Sequence, residues 1–133
     1  MPYLIAYLAG LFTLVALDFV WLGYAMVDFY KAQIGHLMAE QVRFDAAIAF
    51  YLLYLIGVVV FVVAPALEAR SLRTALWRGV LFGFIAYMTY DLSNLATLRG
   101  WPVAVVLADV VWGCVVTASS AVVAYMAASR WRT

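Results

Sequence analysis

The sequence predicts an all-α membrane protein, an antiparallel bundle of four transmembrane helices with a short interfacial amphipathic helix between the first and second. Hydrophobic residues make up 69% of the chain and charged residues 11%, whereas a soluble domain has about 25% charged residues. Apolar runs also recur along the chain, and each is long enough to cross a bilayer, which takes about 20 residues. We expect one integral membrane domain over residues 1–133, with spans at about 3–25, 46–67, 77–98 and 102–128.

The first predicted span is interrupted only by Asp18. No basic segment precedes it and no small-residue cleavage signal follows, so we interpret it as a retained helix rather than a removed signal peptide. Between residues 26 and 44 an apolar stripe that includes Tyr30 alternates with charged residues, which is typical of a helix lying in the membrane interface. Gly35 weakens this pattern, and a plain amphipathic connector is the alternative.

The remaining spans have recognisable starts and ends. The second is uncharged and ends near Pro65. The third opens with Gly79 and Gly83, a G-x-x-x-G spacing that lets another helix approach closely. The fourth begins at Trp101-Pro102, with proline in the tolerated first turn.

Basic residues predict the orientation. Four spans place both termini and the second loop on one side, which holds more basic residues than the other, so both termini are expected in the cytoplasm. The two sets are Arg70, Arg73, Arg78, Arg130 and Arg132 against Lys31, Arg43 and Arg99.

A polar stripe runs down the third helix. Tyr87, Tyr90, Asp91 and Asn94 share one face at helical spacing. An aspartate near the bilayer centre costs roughly 2.5–3.5 kcal/mol, so such a stripe has to face the bundle interior or a wet cavity.

Three helices each carry an aspartate to a similar depth. Counting about 1.5 Å per residue places Asp18, Asp91 and Asp109 roughly 10 Å below the outer boundary, with Tyr51 and Tyr54 at a comparable level. Since no basic residue belongs to this layer, a proton, a cation or water must compensate the carboxyls. The carboxyls would titrate as a coupled set, which suits proton handling or general acid chemistry.

Helices one and four share a short pattern, Asp18-x-x-Trp21 and Asp109-x-x-Trp112, which puts acid and indole on one face in both. Because the two helices are predicted to run in opposite directions, Trp21 is expected above the acid layer and Trp112 below it.

These two patterns, the run Tyr90-Asp-Leu-Ser-Asn-Leu-Ala-Thr-Leu98 and the following Trp101 resemble the signatures of domain-of-unknown-function family 2177. This is a bacterial family of predicted four-helix inner-membrane proteins. The resemblance implies a location in the bacterial inner membrane but no activity. Its genes often stand near those for membrane fatty-acid modification, including cyclopropane-type synthases, which implies a link to lipids.

The polar layer leads to a site hypothesis with alternatives. We expect an acidic and aromatic pocket, opening to the outer face, that binds or modifies a lipid or amphipathic small molecule. Catalytic roles would fall to Asp91, Asp109 and Asp18. The ligand-binding candidates are Tyr51, Tyr54, Tyr87, Tyr90, Asn94, Trp21 and Trp112.

Three other interpretations stay open. The carboxyls could belong to a purely structural hydrogen-bond network, to a proton- or cation-coupled transporter that would need a homodimer to enclose its substrate, or to a non-catalytic subunit of a membrane assembly. Whether the protein is an enzyme, and which cofactor or metal it holds, is left open. His36 is interpreted as a solvated surface residue and Cys114 as a small core residue. The net charge of +1 does not favour nucleic acid as a partner.

Overall fold

A computed structural model describes residues 1–131, and every regular element among them is helical. Helix α1 (Pro2–Val20) continues through a π-helical turn (Trp21–Ala25). Helix α2 (Val27–Ile34) follows, with a 3₁₀ turn (Gly35–Leu37). Helices α3 (Phe44–Val58) and α4 (Ala64–Ala69) are joined by a π-helical turn (Val59–Val63), and α5 (Leu72–Thr97) and α6 (Val103–Ser129) complete the fold. Arg132, one of the predicted cytoplasmic basic residues, lies outside the described part.

Three helical stretches are long and apolar enough to cross a membrane: Pro2–Ala25, Phe44–Ala69 and Val103–Ser129. They coincide with the predicted spans at 3–25, 46–67 and 102–128. Helix α5 is not among them, because the polar stripe in its second half lowers its hydropathy. Its 26 residues give a length of about 39 Å, so a fourth span remains a prediction that length permits.

Glycines bring α5 and α6 into close contact, as the G-x-x-x-G spacing predicts. A Cβ atom on Gly83 would collide with the carbonyl of Gly113 on α6, and one on Gly79 would lie 2.8 Å from Ala118 Cα. Without a hydrophobic driving force inside lipid, such backbone packing is a main source of helix association. The closely packed α5–α6 pair therefore carries Asp91 on one helix and Asp109 on the other.

The segment between the first two apolar stretches is helical over a shorter range than its amphipathic pattern predicts. Helix α2 has eight residues and stops at Ile34, and residues 38–43 are not helical. Gly35 is the first residue after it, where the sequence pattern is weakest. Within α2, Tyr30 is only 5% exposed, so this short helix packs its tyrosine inward.

Candidate functional site

Asp18 is held by donors from two other helices. Its carboxyl oxygens accept hydrogen bonds from Trp112 Nε1 at 2.7 Å and from Tyr51 OH at 2.8 Å. The side chain is 5% exposed. Hydrogen bonds to a carboxylate are stronger than those between neutral groups, so this aspartate ties α1, α3 and α6 together.

The two indoles of the shared acid-x-x-Trp pattern stack on each other. The centroids of the Trp21 and Trp112 rings lie 4.4 Å apart, and the ring planes are within 4° of parallel. Their predicted separation above and below the acid layer is therefore wrong. Side chains on an α-helix tilt towards its N-terminus, so indoles on two oppositely directed helices lean towards each other and meet.

Tyr30 connects this stack to the next acid. It receives a hydrogen bond from Trp21 Nε1 at 3.0 Å and donates one to Asp109 Oδ1 at 2.5 Å. Burial, followed by the hydrogen bond to Asp109, raises the pKa of the Tyr30 phenol, which keeps the hydroxyl protonated as a donor. Helix α2, in the segment between the first two apolar stretches, is thus held against Asp109 by Tyr30.

Asp91 stands apart because neither of its carboxyl oxygens forms a hydrogen bond of normal geometry among residues 1–131. The side chain is 0% exposed, and both oxygens are buried and unpaired. Its polar neighbours are Asp109 and Trp101. The Trp101 indole nitrogen is also buried without a partner. Leaving a buried polar group unpaired costs about 1–3 kcal/mol, so these atoms mark where a further group could bind. We call Tyr30, Asp91, Trp101 and Asp109 the Asp91 cluster.

The other predicted ligand-binding residues spread around this cluster. Tyr54 shares a hydrogen bond of 2.8 Å with Thr117 Oγ1, and its ring meets the edge of Tyr87 at 6.3 Å. Tyr87 occupies the space beside Gly113, so it serves helix packing. Tyr90 is 56% exposed and lies edge-on to the Trp101 ring.

The predicted set therefore divides into groups with different surroundings. Asp18, Tyr51, Trp21 and Trp112 form one hydrogen-bonded and stacked unit. Tyr54 contacts Thr117 on α6, and Tyr87 packs beside Gly113 on the same helix. On α5, Tyr90 is exposed and Asn94 is half-exposed.

Two members of the Asp91 cluster, Tyr30 and Trp101, are not among the residues that the sequence pattern predicts for the site. Tyr30 was counted only as part of an apolar stripe, although a tyrosine inside such a stripe carries a hydroxyl that needs a partner once buried. Trp101 stands in the sequence only as the start of the fourth predicted span, and its burial to 8% exposure depends on the path of the turn between α5 and α6.

No basic side chain neutralises these acids in the described part of the chain. The ion pair found over residues 1–131 joins Arg43 and Asp45 at 2.8 Å on the exposed surface. The same residues contain no group of three His, Cys, Asp or Glu side chains placed to hold a metal ion. His36 is exposed in the 3₁₀ turn after α2, and Cys114 is half-buried in α6.

A family model described as "Predicted membrane protein (DUF2177)" matches residues 3–126, almost the whole chain. This chain belongs to the DUF2177 family. The family description agrees with the three apolar helices, and the match includes every residue of the Asp91 cluster. No curated protein and no solved structure matches the chain significantly.

Proposed function

We propose that this member of the DUF2177 family binds, or modifies, a lipid or amphipathic small molecule whose polar head is held at the Asp91 cluster. The observation that carries the proposal is the Asp91 carboxyl, buried with both oxygens unpaired. Asp18, equally buried, has two donors. A fold that supplies donors to one acid and none to its neighbour leaves the second for a ligand or a proton.

The charge of the cluster favours a cationic or hydrogen-bond-donating head. Asp91 and Asp109 are neighbours, and two adjacent carboxyls cannot both be ionised at low energy. They therefore share a proton or take up a cation. A donor group on the ligand would satisfy Asp91, and the carbonyl or hydroxyl next to it could accept from Trp101 Nε1.

The surroundings suit an amphiphile. Trp101 and Tyr90 supply aromatic surface beside the acids, and the helices expose large apolar side chains such as Phe12 and Phe19 on the outside. We infer that this outer surface contacts membrane lipid. Because Asp91 is fully covered, the ligand would enter by displacement of α2, whose Tyr30 closes the cluster.

The topology that goes with this function is a four-span antiparallel bundle in the bacterial inner membrane, with α5 as the third span and both termini cytoplasmic. In this arrangement the Asp91 cluster lies towards the outer face. If the protein modifies its ligand, Asp91 and Asp109 are the acid–base pair, and Asp18 is a positioning residue because its oxygens already hold Trp112 and Tyr51.

A second function, proton- or cation-coupled transport, is favoured by one observation. A chain of hydrogen bonds runs from Trp21 through the Tyr30 hydroxyl to Asp109, which lies beside Asp91. A shared proton on the acid pair could exchange through this hydroxyl. A homodimer would then enclose the substrate.

The exposed polar residues of α5 give less support to an assembly subunit. Thr89, Ser93 and Thr97 donate their hydroxyls to carbonyls one turn earlier in the same helix, at 2.5–2.8 Å. Their hydrogen bonds are satisfied inside α5, so they require no partner protein.

The experiment that tests the lipid proposal is mass spectrometry of lipids from a deletion strain carrying wild-type, Asp91→Asn or Asp45→Asn protein. Asp45 is the matched control, because it is an exposed acid that is paired with Arg43 and is not part of the cluster. We expect Asp45→Asn to restore the wild-type lipid profile and Asp91→Asn to fail, with equal amounts of folded protein in the membrane.

Identical lipid profiles of the deletion and wild-type strains across growth conditions would refute the lipid proposal. Transport is tested separately in proteoliposomes with a pH-sensitive dye inside. Proton movement driven by an added cationic amphiphile, and lost in Asp91→Asn, would then favour the second function.

A further inference from the structure

A second polar feature lies in an apolar groove beside α5, away from the Asp91 cluster. Arg78 is the charged residue of this groove, whose other walls are aromatic and aliphatic. The lining residues are Phe61, Trp77, Arg78, Leu81, Phe82 and Ile85.

The Arg78 guanidinium is anchored but not neutralised. Its Nη1 donates to the Phe61 carbonyl at 3.2 Å, and its central carbon lies 5.2 Å from the centre of the Trp77 ring. Its Nε atom is buried without a hydrogen-bond partner. Throughout residues 1–131 no carboxylate forms an ion pair with it.

The anchor follows from the sequence of the neighbouring helix. Phe61 lies in the π-helical turn (Val59–Val63), and Pro65, four positions later, has no N–H to donate. Arg78 supplies a donor to the Phe61 carbonyl. The contact uses one N–H of Nη1 and holds the guanidinium in place, which leaves unused N–H groups on the two terminal nitrogens.

We propose that this groove binds an anionic phospholipid, with the phosphate on Arg78 and an acyl chain along the apolar walls. A partly exposed cation beside apolar walls, with unused donors, favours an anion, and the planar guanidinium fork matches a phosphate in a bidentate geometry. The exposed side chains of Leu81, Ile85 and Phe61 offer a continuous surface for a chain. A zwitterionic lipid fits less well, since its own ammonium group already compensates its phosphate.

The position of Arg78 agrees with a lipid headgroup. It lies six residues after the start of α5 at Leu72, about 9 Å along the helix, within reach of the headgroup level for a long basic side chain. Arg70 and Arg73 lie exposed at the same end of the helix pair.

The test uses the full-length protein in lipid nanodiscs, with Trp77 as the reporter. Tryptophan quenching by brominated phosphatidylglycerol is compared with quenching by brominated phosphatidylcholine at equal mole fraction. We expect wild-type protein to prefer phosphatidylglycerol, and R78Q to reduce that preference about fivefold, because it removes the charge-assisted hydrogen bonds from the guanidinium to the phosphate. R73Q is the matched control, because it removes the same charge from an exposed position of the same helix, and we expect less than a twofold change.

Two further variants locate the lipid. W77F should remove most of the selective quenching, and R78K should keep only part of the preference because lysine lacks the planar fork. Equal quenching of wild-type protein by the two lipids would overturn the proposal, as would the same preference in R78Q and R73Q. If R78Q does not fold, the wild-type comparison and R78K decide the matter. Displacement of the lipid by millimolar inorganic phosphate would assign the site to free phosphate and overturn the lipid assignment.

Discussion

Alanine substitutions at Asp18 and Asp91 should have different effects on stability, although both aspartates are buried acids. Asp18→Ala leaves the Trp112 N–H and the Tyr51 hydroxyl without their acceptor. Each buried unpaired donor costs about 1–3 kcal/mol. We expect a total loss of about 3 kcal/mol, towards the lower end of the sum for two donors, because Tyr51 is only half-buried. Asp91→Ala removes two buried, unpaired oxygens. The relief of their burial cost offsets the packing lost with the side chain, so the variant's stability should stay within about 1 kcal/mol of wild type.

Thermal unfolding of the purified protein in detergent, followed by circular dichroism, measures this difference. For a chain of this size 3 kcal/mol corresponds to a fall in Tm of about 10 °C. Asp18→Asn is the rescue variant, because an amide oxygen can accept from Trp112 while the amide nitrogen donates to the Tyr51 oxygen. The reasoning is refuted if Asp91→Ala lowers Tm as much as Asp18→Ala does.

Two further predictions concern the packing of α5 against α6 and the position of α2. Gly83→Ala places a methyl group against the Gly113 backbone, so it should lower the stability by about 3 kcal/mol, the upper end for overpacking. Gly23→Ala is the control, because no atom lies within 4 Å of the added methyl group. Its stability should stay within about 1 kcal/mol of wild type in the same thermal unfolding experiment. Tyr30→Phe removes the donor to Asp109 and should speed hydrogen exchange of the α2 amides, whereas unchanged exchange would show that another contact holds α2.

The apolar stretches were predictable because hydrophobicity alone encodes them. Three predicted spans agree with the helices within a few residues at each end, since proline, glycine and charged residues mark where burial in lipid stops being favourable. The Gly79 and Gly83 spacing also predicted a close helix contact, which α6 provides.

The side-chain partners were harder to predict, because they depend on rotations and bends that no spacing encodes. The i, i+3 spacing places Asp18 and Trp21 on one face of the first helix, but it does not show that Asp18 bonds to Trp112 on α6. Tyr30 reaches Asp109 only because the chain bends after the π-helical turn at Trp21–Ala25. A short change in helical pitch of this kind leaves no reliable mark in the sequence.

The bond between Asp18 and Trp112 also bears on how the protein is made. These residues are 94 positions apart, so Asp18 enters the bilayer long before the ribosome has synthesised its main donor. Until α6 arrives, the nascent chain carries an aspartate without its indole partner, and only Tyr51 is available earlier. A chain truncated before α6 would therefore keep an acid whose main hydrogen-bond donor is missing.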